Sequence, residues 1–316
     1  MTTDGAGGAR PQISFDGVLL LDKPAGMSSN GALQAVRRLF GRVKAGHTGT
    51  LDPIATGLLP VCLGQATKFA AGLLEADKIY DGVIRLGVAT TTGDSQGEPI
   101  AQASAAGCLE RLPSALAAFV GEIEQLPPMF SAIKHRGRPL YRYARAGQSV
   151  ERTARRVKVH ALELISASGV DVSVRVRCSK GTYIRSLAHD IGMRLGCGAH
   201  LRALRRVGIG RLRIEEAVPL DELAALSETQ RLARLRPADI LLCDLPAVVL
   251  DRSRAQALLQ GRAVGRVAAE PLGCVRLYDE EGLFLGLGAG AADVLAPKRM
   301  RAPSVTGAAV AAADVT

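Results

Sequence analysis

The sequence of 316 residues contains no tryptophan, and aromatic residues make up only 3% of it. A core must therefore be built from Leu, Val, Ile and Ala. The six cysteines are scattered, without a Cys-x-x-Cys pair or a cluster of cysteine and histidine. This pattern is typical of reduced, buried thiols and disfavours a disulfide framework or a zinc site. No stretch approaches the roughly 20 apolar residues of a membrane span, and no apolar segment follows a basic start. We expect a cytoplasmic protein that does not contact a membrane.

The length and composition that are present fit a globular protein of about two domains. Hydrophobic residues make up 47% and charged residues 22%, which excludes wholesale disorder. Lysine and arginine number 40 against 30 aspartates and glutamates, a formal net charge of +10. Such an excess fits a polyanionic partner, and it fits equally a basic surface without one.

Turn signals near residue 246 divide the chain. Beyond this point, short strands such as 274–278 are separated by glycines, which predicts a small β-barrel. We expect, in chain order, a disordered tail (1–12), a larger domain (13–246), a small domain (247–303) and a loose tail (304–316).

The larger domain mixes strand and helix patterns irregularly. Strand patterns cover 17–22, 80–86 and 170–178, and helix patterns follow Ser28, cover 66–74 and continue through Leu187, Ile191 and Leu195. There is neither a regular βαβ alternation nor a nucleotide-binding glycine pattern. The sequence therefore predicts a mixed α+β sheet domain rather than a doubly wound one.

The loop from Gly46 to Pro60 concentrates residues that can carry chemistry, among them His47 and Asp52. Its glycines allow close approach to a ligand, and Pro53 stiffens the chain directly after Asp52. Asp52 fits a nucleophile or general base, and it fits equally a plain Asp-Pro turn. His47 fits a polar loop residue, a base-stacking ring or an acid–base group. No second ligand stands at metal-binding spacing, so we expect no metal here.

A basic segment with interleaved aromatic rings, residues 129–145, lies within an insertion covering about 127–156. Cations neutralise phosphates and rings stack on exposed bases, a combination suited to non-duplex RNA; the alternative is a solvated basic face. A second basic stretch, 199–206, has the pattern of an amphipathic helix and is a weaker signal, because its leucines also suit a core. The residues singled out for RNA contact are Lys134, Arg136, Arg138, Tyr141, Arg142 and Arg145.

Five segments, in the same order, resemble the TruB family of tRNA pseudouridine synthases. Two of them are GHTGTLDPIATGLLP (46–60) and CSKGTYIRSLAHDIG (178–192), and the others are 17–30, 127–134 and 139–145. A chance match to five ordered motifs is negligible. The likeness covers about residues 15–245, and segments 250–255 and 259–262 resemble the PUA domain that often follows in bacterial members.

The resemblance implies a pseudouridine-synthase fold, α+β with a mixed, largely antiparallel central sheet flanked by helices and loops, followed by a PUA-like β-barrel. It implies isomerisation of the T-loop uridine, position 55 in tRNA numbering, after the base is flipped out at a cost of a few kcal/mol. The reaction conserves every atom, so we expect neither cofactor nor metal. The implied partner is the T-arm stem-loop of tRNA. We expect a monomer with no obligatory protein partner.

On the matching positions, the resemblance implies that Asp52 is the catalytic aspartate, that Arg185 is the basic residue paired with it, and that Tyr80 lies against the target nucleotide. Whether Asp52 attacks the ribose, attacks the pyrimidine or assists an elimination stays open. Three further residues match positions that contact the substrate: His47, Tyr183 and Leu204.

The sequence departs from the family pattern at Ile54 and Phe130, where leucine and tyrosine are frequent. Phe130 retains stacking but lacks the hydroxyl. Three alternatives stand beside this function: a catalytically silent tRNA-binding or folding module, the catalytic subunit of an RNA-guided pseudouridylating complex, and an Asp-dependent hydrolase. The first tolerates loss of the catalytic residues, which are all present. The second usually carries longer charged extensions, and the third lacks a water-activating partner.

Overall fold

The structure, a computed structural model, describes residues 15–302, so both expected tails (1–12 and 304–316) lie outside the described residues. The helices are α1 (Ser29–Leu39), α2 (Cys108–Ala117), α3 (Leu140–Arg145), α4 (Ile184–Leu195), α5 (Leu220–Ala225), α6 (Glu228–Ala233) and α7 (Arg252–Leu259). Short 3₁₀ helices cover Gly64–Leu73, Ile214–Glu216 and Ala238–Leu242.

Twenty strands form four sheets within residues 15–302. They are β1 (Gly17–Lys23), β2 (Ala45–His47), β3 (Thr56–Leu63), β4 (Lys78–Leu86), β5 (Val88–Thr90), β6 (Pro99–Gln102), β7 (Gly121–Gln125), β8 (Lys134–His135), β9 (Arg138–Pro139), β10 (Arg155–Ser168), β11 (Asp171–Cys178), β12 (Ala199–Ile209), β13 (Leu212–Arg213), β14 (Val218–Pro219), β15 (Leu235–Arg236), β16 (Ala247–Leu250), β17 (Val264–Gly265), β18 (Gly273–Asp279), β19 (Phe284–Ala291) and β20 (Val294–Met300).

The largest sheet has the strand order β14-β1-β3-β12-β4-β11-β10-β7, with β2, β13 and β15 attached beside it. Only the β1–β14 and β3–β12 pairs are parallel, and the others are antiparallel. A second, five-stranded sheet has the order β16-β18-β19-β20-β17. The expectation of an α+β fold with a mixed, largely antiparallel central sheet and a small C-terminal β-module is confirmed.

The central strands are buried on both faces. Along β1, Leu19 and Leu21 belong to one apolar cluster while Val18 and Leu20 belong to another. Successive side chains of a strand point to opposite faces, so each cluster lies on its own side of the sheet. This arrangement explains why the strand is a continuous apolar run instead of an alternating one.

Two helices fix the loops around the site. Helix α1 begins at its N-cap Ser28, whose Oγ accepts a hydrogen bond from the Gly31 amide at 3.0 Å. Helix α4 lies so close to β12 that a Cβ added at Gly192 would lie 2.2 Å from the Ala199 nitrogen. Position 57 must also be a glycine, because its φ is +103° and a Cβ there would lie 2.3 Å from the Arg206 carbonyl oxygen.

One sequence expectation was wrong in type, and a second was right about a helix but not about its kind. Residues 199–206 belong to strand β12 and not to a basic helix. β-Bulges interrupt its pairing with β4 at residues 201–203 and 206–208, and a bulge resets the two-residue alternation by which a strand is recognised. The stretch 66–74, expected as a helix, forms the tighter 3₁₀ helix Gly64–Leu73. Of the residues described, no helix is both long and apolar enough to cross a membrane.

Candidate active site and nucleic-acid interface

Two neighbouring cavities share one wall, and Asp52 and Arg185 form part of it. The first cavity has a volume of about 560 Å³ and the second about 390 Å³, both within the usual size of ligand sites. His47, Phe130, Tyr141 and Arg145 line the first cavity, and Lys78, Tyr80, Tyr183, Leu204 and Arg206 line the second.

The loop that carries Asp52 is tied down on both sides. The Asp52 carbonyl accepts a hydrogen bond from the Ala55 amide at 3.0 Å, which closes a turn with Pro53 at its second position. The Gly26 amide donates to the Pro53 carbonyl at 2.8 Å. Ser29 of α1 binds both backbone groups of Leu51, at 2.8 and 2.9 Å. The carboxylate therefore projects from a stiff support.

Arg185, in the first turn of α4, pairs directly with Asp52: its Nε donates to Oδ2 at 2.9 Å. The guanidinium also donates to the Thr92 carbonyl at 3.0 Å and to the Phe130 carbonyl at 2.7 Å. The Arg185 side chain is 4% exposed and that of Asp52 is 36% exposed. The carboxylate is thus the accessible member of the pair, and the structure brings together the two residues that the resemblance paired.

A second carboxylate, that of Asp94, also lies next to Arg185. The sequence analysis did not identify this residue. Its Oδ2 is 3.7 Å from the Arg185 Nε, and its Oδ1 accepts hydrogen bonds from the Thr92 hydroxyl at 2.5 Å and the Gln96 amide at 3.1 Å. The side chain is buried. Arg185 is therefore held between an exposed carboxylate and a buried one, which fixes its orientation toward Asp52.

Tyr80 of β4 lies opposite Arg206 of β12, its partner in the sheet register. Burial raises the pKa of the Tyr80 phenol, whereas the charge and hydrogen bond of Arg206 act in the opposite direction. Arg206 is itself buried and donates to the Leu58 carbonyl at 2.8 Å and the Gly49 carbonyl at 3.0 Å. It connects the tyrosine to the Asp52 loop, a role that the sequence did not reveal.

Tyr183 immediately precedes α4, where Gln125 holds its backbone. The Tyr183 amide donates to the Gln125 Oε1 at 3.0 Å, and the Gln125 Nε2 donates to the Tyr183 carbonyl at 3.2 Å. Burial raises the pKa of the Tyr183 phenol, and the neighbouring Ser131 hydroxyl acts to lower it. Leu204 is a buried residue of β12 that faces the same cavity. Tyr80, Tyr183 and Leu204 thus meet around the second cavity, as one apolar and aromatic surface.

His47 ends β2 and lines the first cavity instead of the second. Burial, together with the nearby charge of Arg206, lowers the pKa of its imidazole. The ring is therefore neutral at pH 7. Its Nδ1 is buried without a hydrogen-bond partner within residues 15–302, so it has a polar atom available to a ligand.

The basic segment forms a hairpin, β8–β9, followed by α3. The two-residue loop Arg136–Gly137 has positive φ at both positions, +48° and +80°, the geometry of a tight hairpin turn. Arg145 lies over the Tyr141 ring at 5.6 Å and Arg138 over the Tyr143 ring at 5.2 Å, within cation–π range. Across the described chain, no carboxylate forms an ion pair with any of five basic residues: Lys134, Arg136, Arg138, Arg142 and Arg145.

A mixed sheet with a partly exposed aspartate in an adjoining loop, paired with a buried arginine beside a cavity that a tyrosine lines, is an arrangement that fits a pseudouridine synthase. Family models match it as the N-terminal domain of TruB family pseudouridylate synthase (37–184), the tRNA pseudouridylate synthase B C-terminal domain (185–243) and the C-terminal domain of pseudouridine synthase II TruB (246–300). The chain belongs to the TruB family of pseudouridylate synthases, which are isomerases.

Similar proteins agree with this assignment along nearly the whole chain. The tRNA pseudouridine synthase B of Burkholderia mallei is 52% identical over 308 residues, covering 95% of this chain and 98% of that protein. The protein of the same name from Aromatoleum aromaticum is 54% identical, covering 90% and 92%. A Cbf5–Nop10–Gar1 complex matches with a TM-score of 0.70 and 28% identity, covering 92% of this chain and 87% of that one. An H/ACA RNP bound to a substrate RNA containing 2′-deoxyuridine matches with a TM-score of 0.69 and 26% identity, covering 93% and 88%.

Proposed function

We propose that this protein isomerises the T-loop uridine of tRNA, position 55 in tRNA numbering, to pseudouridine without a cofactor. The observation that carries the proposal is the ion pair of 2.9 Å between Asp52 and Arg185 at the wall shared by two cavities. The names of the similar proteins reported above support tRNA as the substrate. In this proposal Asp52, Arg185 and Tyr80 are the catalytic residues.

The reaction requires that the uridine leave its stack, at a cost of a few kcal/mol. Stacking on an aromatic ring returns about 1–3 kcal/mol per base. The neutral ring of His47 stacks in the space vacated in the RNA, and Tyr80, Tyr183 and Leu204 bind the flipped nucleotide in the second cavity. The N1–C1′ bond then breaks and the C5–C1′ bond forms, while the proton lost from C5 is balanced by one gained at N1.

Arg185 holds the Asp52 carboxylate in one orientation, which removes a conformational search from the chemical step. Three other segments fix the arginine in turn: it binds the carbonyls of Thr92 and Phe130 and lies beside Asp94. This arrangement serves attack on the ribose, attack on the pyrimidine and elimination alike, because each of them needs an ionised, oriented carboxylate near C1′.

Two other surfaces of the protein bind parts of the RNA outside the target nucleotide. The exposed cations of the basic segment neutralise phosphates of the T-arm, and Tyr141 stacks at the mouth of the first cavity. We assign catalysis to a domain over residues 13–246 and further RNA contact to a PUA-like domain over 247–303. The enzyme works in the cytoplasm as a monomer, without an obligatory protein partner.

A second candidate is the catalytic subunit of an RNA-guided complex. The two structural relatives favour it, since one is a complex of Cbf5 with Nop10 and Gar1 and the other is an H/ACA RNP. The two candidates differ in one requirement: the first acts on tRNA as a purified chain, and the second needs a guide RNA and partner proteins.

The test uses the purified protein, an unmodified tRNA transcript and no additives. We expect pseudouridine at one T-loop position, and no product with Asp52→Asn, whose neutral amide cannot act as the carboxylate does. Affinity for RNA should stay within about twofold, because phosphate contacts dominate it. The matched control is Asp244→Asn, an exposed residue paired with Arg211 at 3.1 Å, which should retain full activity. An inactive wild type, or an active Asp52→Asn, contradicts the proposal.

A further inference from the structure

Ser131 has a buried hydroxyl without a hydrogen-bond partner of proper geometry, although it lies close enough to the Tyr183 phenol to affect the pKa of that group. The residue is 5% exposed, and its Oγ has no hydrogen-bond partner among residues 15–302. A buried polar atom without a partner costs free energy. Such atoms are rare in folded proteins and call for a physical explanation.

The position of Ser131 supplies that explanation, because it is one of few residues that line both cavities, together with Asp52 and Arg185. Several other hydroxyls that line the cavities form a hydrogen bond to a protein atom: those of Ser28, Ser29, Thr92, Ser179 and Thr182. Thr50 also lines both cavities, but it is exposed, whereas Ser131 is buried. The Ser131 hydroxyl is therefore available to a ligand.

The backbone around Ser131 is fixed, so its hydroxyl is held in place before a ligand arrives. The Ser131 carbonyl accepts a hydrogen bond from the Tyr141 amide at 3.1 Å. The preceding carbonyl, of Phe130, accepts one from Arg185 at 2.7 Å. The same guanidinium that orients Asp52 thus positions the segment carrying Ser131, which links the placement of the two side chains.

We propose that the Ser131 hydroxyl donates a hydrogen bond to a carbonyl oxygen of the flipped uracil, both before and after the ring turns over. This inference rests on the proposed function. To exchange N1 for C5 at C1′, the released ring rotates by half a turn about the line through N3 and C6. That rotation exchanges O2 and O4, so one fixed donor meets a carbonyl oxygen in both orientations. A serine hydroxyl rotates to suit either.

The test compares wild type with Ser131→Ala on T-arm RNA under single turnover with saturating enzyme. Removing one neutral hydrogen bond to the base should slow the reaction by roughly threefold to tenfold. The dissociation constant for RNA should change by less than about twofold, since phosphates dominate binding. The melting temperature should not fall, because Oγ has no partner in the protein.

A thio-substituted substrate separates contact with the base from a structural effect. Sulfur accepts hydrogen bonds weakly. Replacing the target uridine by 2-thiouridine or 4-thiouridine should therefore reduce the rate of the wild type by a larger factor than the rate of Ser131→Ala. The excess should be roughly threefold to tenfold for at least one of the two thio substrates, the non-additivity expected of groups in contact. Thr48→Val is the matched control: Thr48 also has a buried, unpartnered hydroxyl, but it lines neither cavity. It should respond to sulfur as the wild type does.

Three outcomes overturn the inference. The first is that Ser131→Ala turns over uridine RNA at the wild-type rate, and the second is that it slows together with a lower melting temperature. The third is that both thio substrates slow wild type and variant by equal factors. A wild type that forms no pseudouridine in uridine RNA overturns the proposed function itself. That result is distinct, because it is read without any variant.

Discussion

Three basic side chains near Asp52 are buried, those of Lys23, Arg185 and Arg206, whereas Asp52 itself is partly exposed. Lys23 Nζ donates to the carbonyls of Pro24 at 2.8 Å and Met27 at 2.6 Å. Fixed positive charge beside a reacting group stabilises negative charge that develops during a reaction. The residues around Asp52 therefore suit a reaction in which uracil departs as an anion.

The burial of Lys23 leads to a prediction about pH. Burial lowers the pKa of its ammonium to about 8, although the charge of Asp52 acts to raise it. Between pH 8 and the unfolded value of 10.5, the unfolded chain binds more protons at Lys23 than the native one. Stability should therefore rise with pH in this window, and the cost of burying the charge should be fully present below it.

Lys23→Met should remove this dependence. The free energy of unfolding of the variant should rise less between pH 8 and pH 10 than that of the wild type, because the variant has no ammonium that binds protons differently in the folded and unfolded chain. The difference in slope is at most about 1.4 kcal/mol per pH unit, the value for one proton. Urea unfolding at several pH values measures it. Lys44→Met, at an exposed lysine, should keep the wild-type slope; equal slopes for Lys23→Met and wild type contradict the prediction.

At the scale of residues, the motifs identified Asp52 and Arg185 because the family resemblance places them, and the structure joins them at 2.9 Å. Asp94, Arg206 and Ser131 were not identified. Asp94 lies in the connection between β5 and β6 and reaches Arg185 only through tertiary folding. Burial and missing partners are properties of the folded chain, so no periodicity in the sequence reports them.

At the scale of elements, patterns predicted the strands near residues 17–22, 80–86 and 170–178, because each is a regular run or alternation of apolar residues. Strand β12 was mistaken for a helix. A bulge between them leaves both Leu201 and Leu204 buried, although they are three positions apart in the sequence. Buried residues at that spacing are typical of a helix face. The irregularity has a consequence for the site, because it brings Leu204 and Arg206 to the second cavity.

The basic segment is the element in which RNA binding can be tested. Arg142 is exposed, and Arg145 lies over Tyr141 at 5.6 Å beside the first cavity. If each contacts one phosphate, Arg142→Ala and Arg145→Ala should each weaken binding and reduce the slope of log affinity against log salt by about 0.7–0.9. Binding titrations at several salt concentrations measure this slope.

The control for that experiment is Arg211→Ala, which removes another exposed arginine, one that is already paired with Asp244 at 3.1 Å. Its slope should equal that of the wild type. Unchanged slopes for both Arg142→Ala and Arg145→Ala would mean that the segment is a solvated basic face, the alternative that the sequence left open.

At the scale of the whole molecule, the two main sheets share an apolar cluster. Phe284 of β19 packs edge-on against Phe69 at 5.1 Å, and the Tyr278 hydroxyl donates to Asp239 at 2.6 Å. Arg301 pairs with Asp16 at 2.9 Å, from opposite ends of the described chain. The composition change near residue 246 suggested two separate units, but it contained no information on these contacts, because they join residues far apart in sequence.

The shared cluster predicts that the two parts unfold together. Phe284→Ala should lower the free energy of unfolding by about 3–5 kcal/mol, the usual cost of removing a buried phenylalanine.

The neighbouring residue supplies the matched control. Phe284 is 4% exposed and Leu283 is 54% exposed, so Leu283→Ala should change the free energy of unfolding by less than about 0.5 kcal/mol. Phe284 lines neither of the two cavities, so turnover at saturating RNA should be unchanged in both variants. Urea unfolding should show one transition that shifts as a whole in Phe284→Ala; two transitions, of which only one shifts, would mean that the sheets are independent and that the interface contributes little.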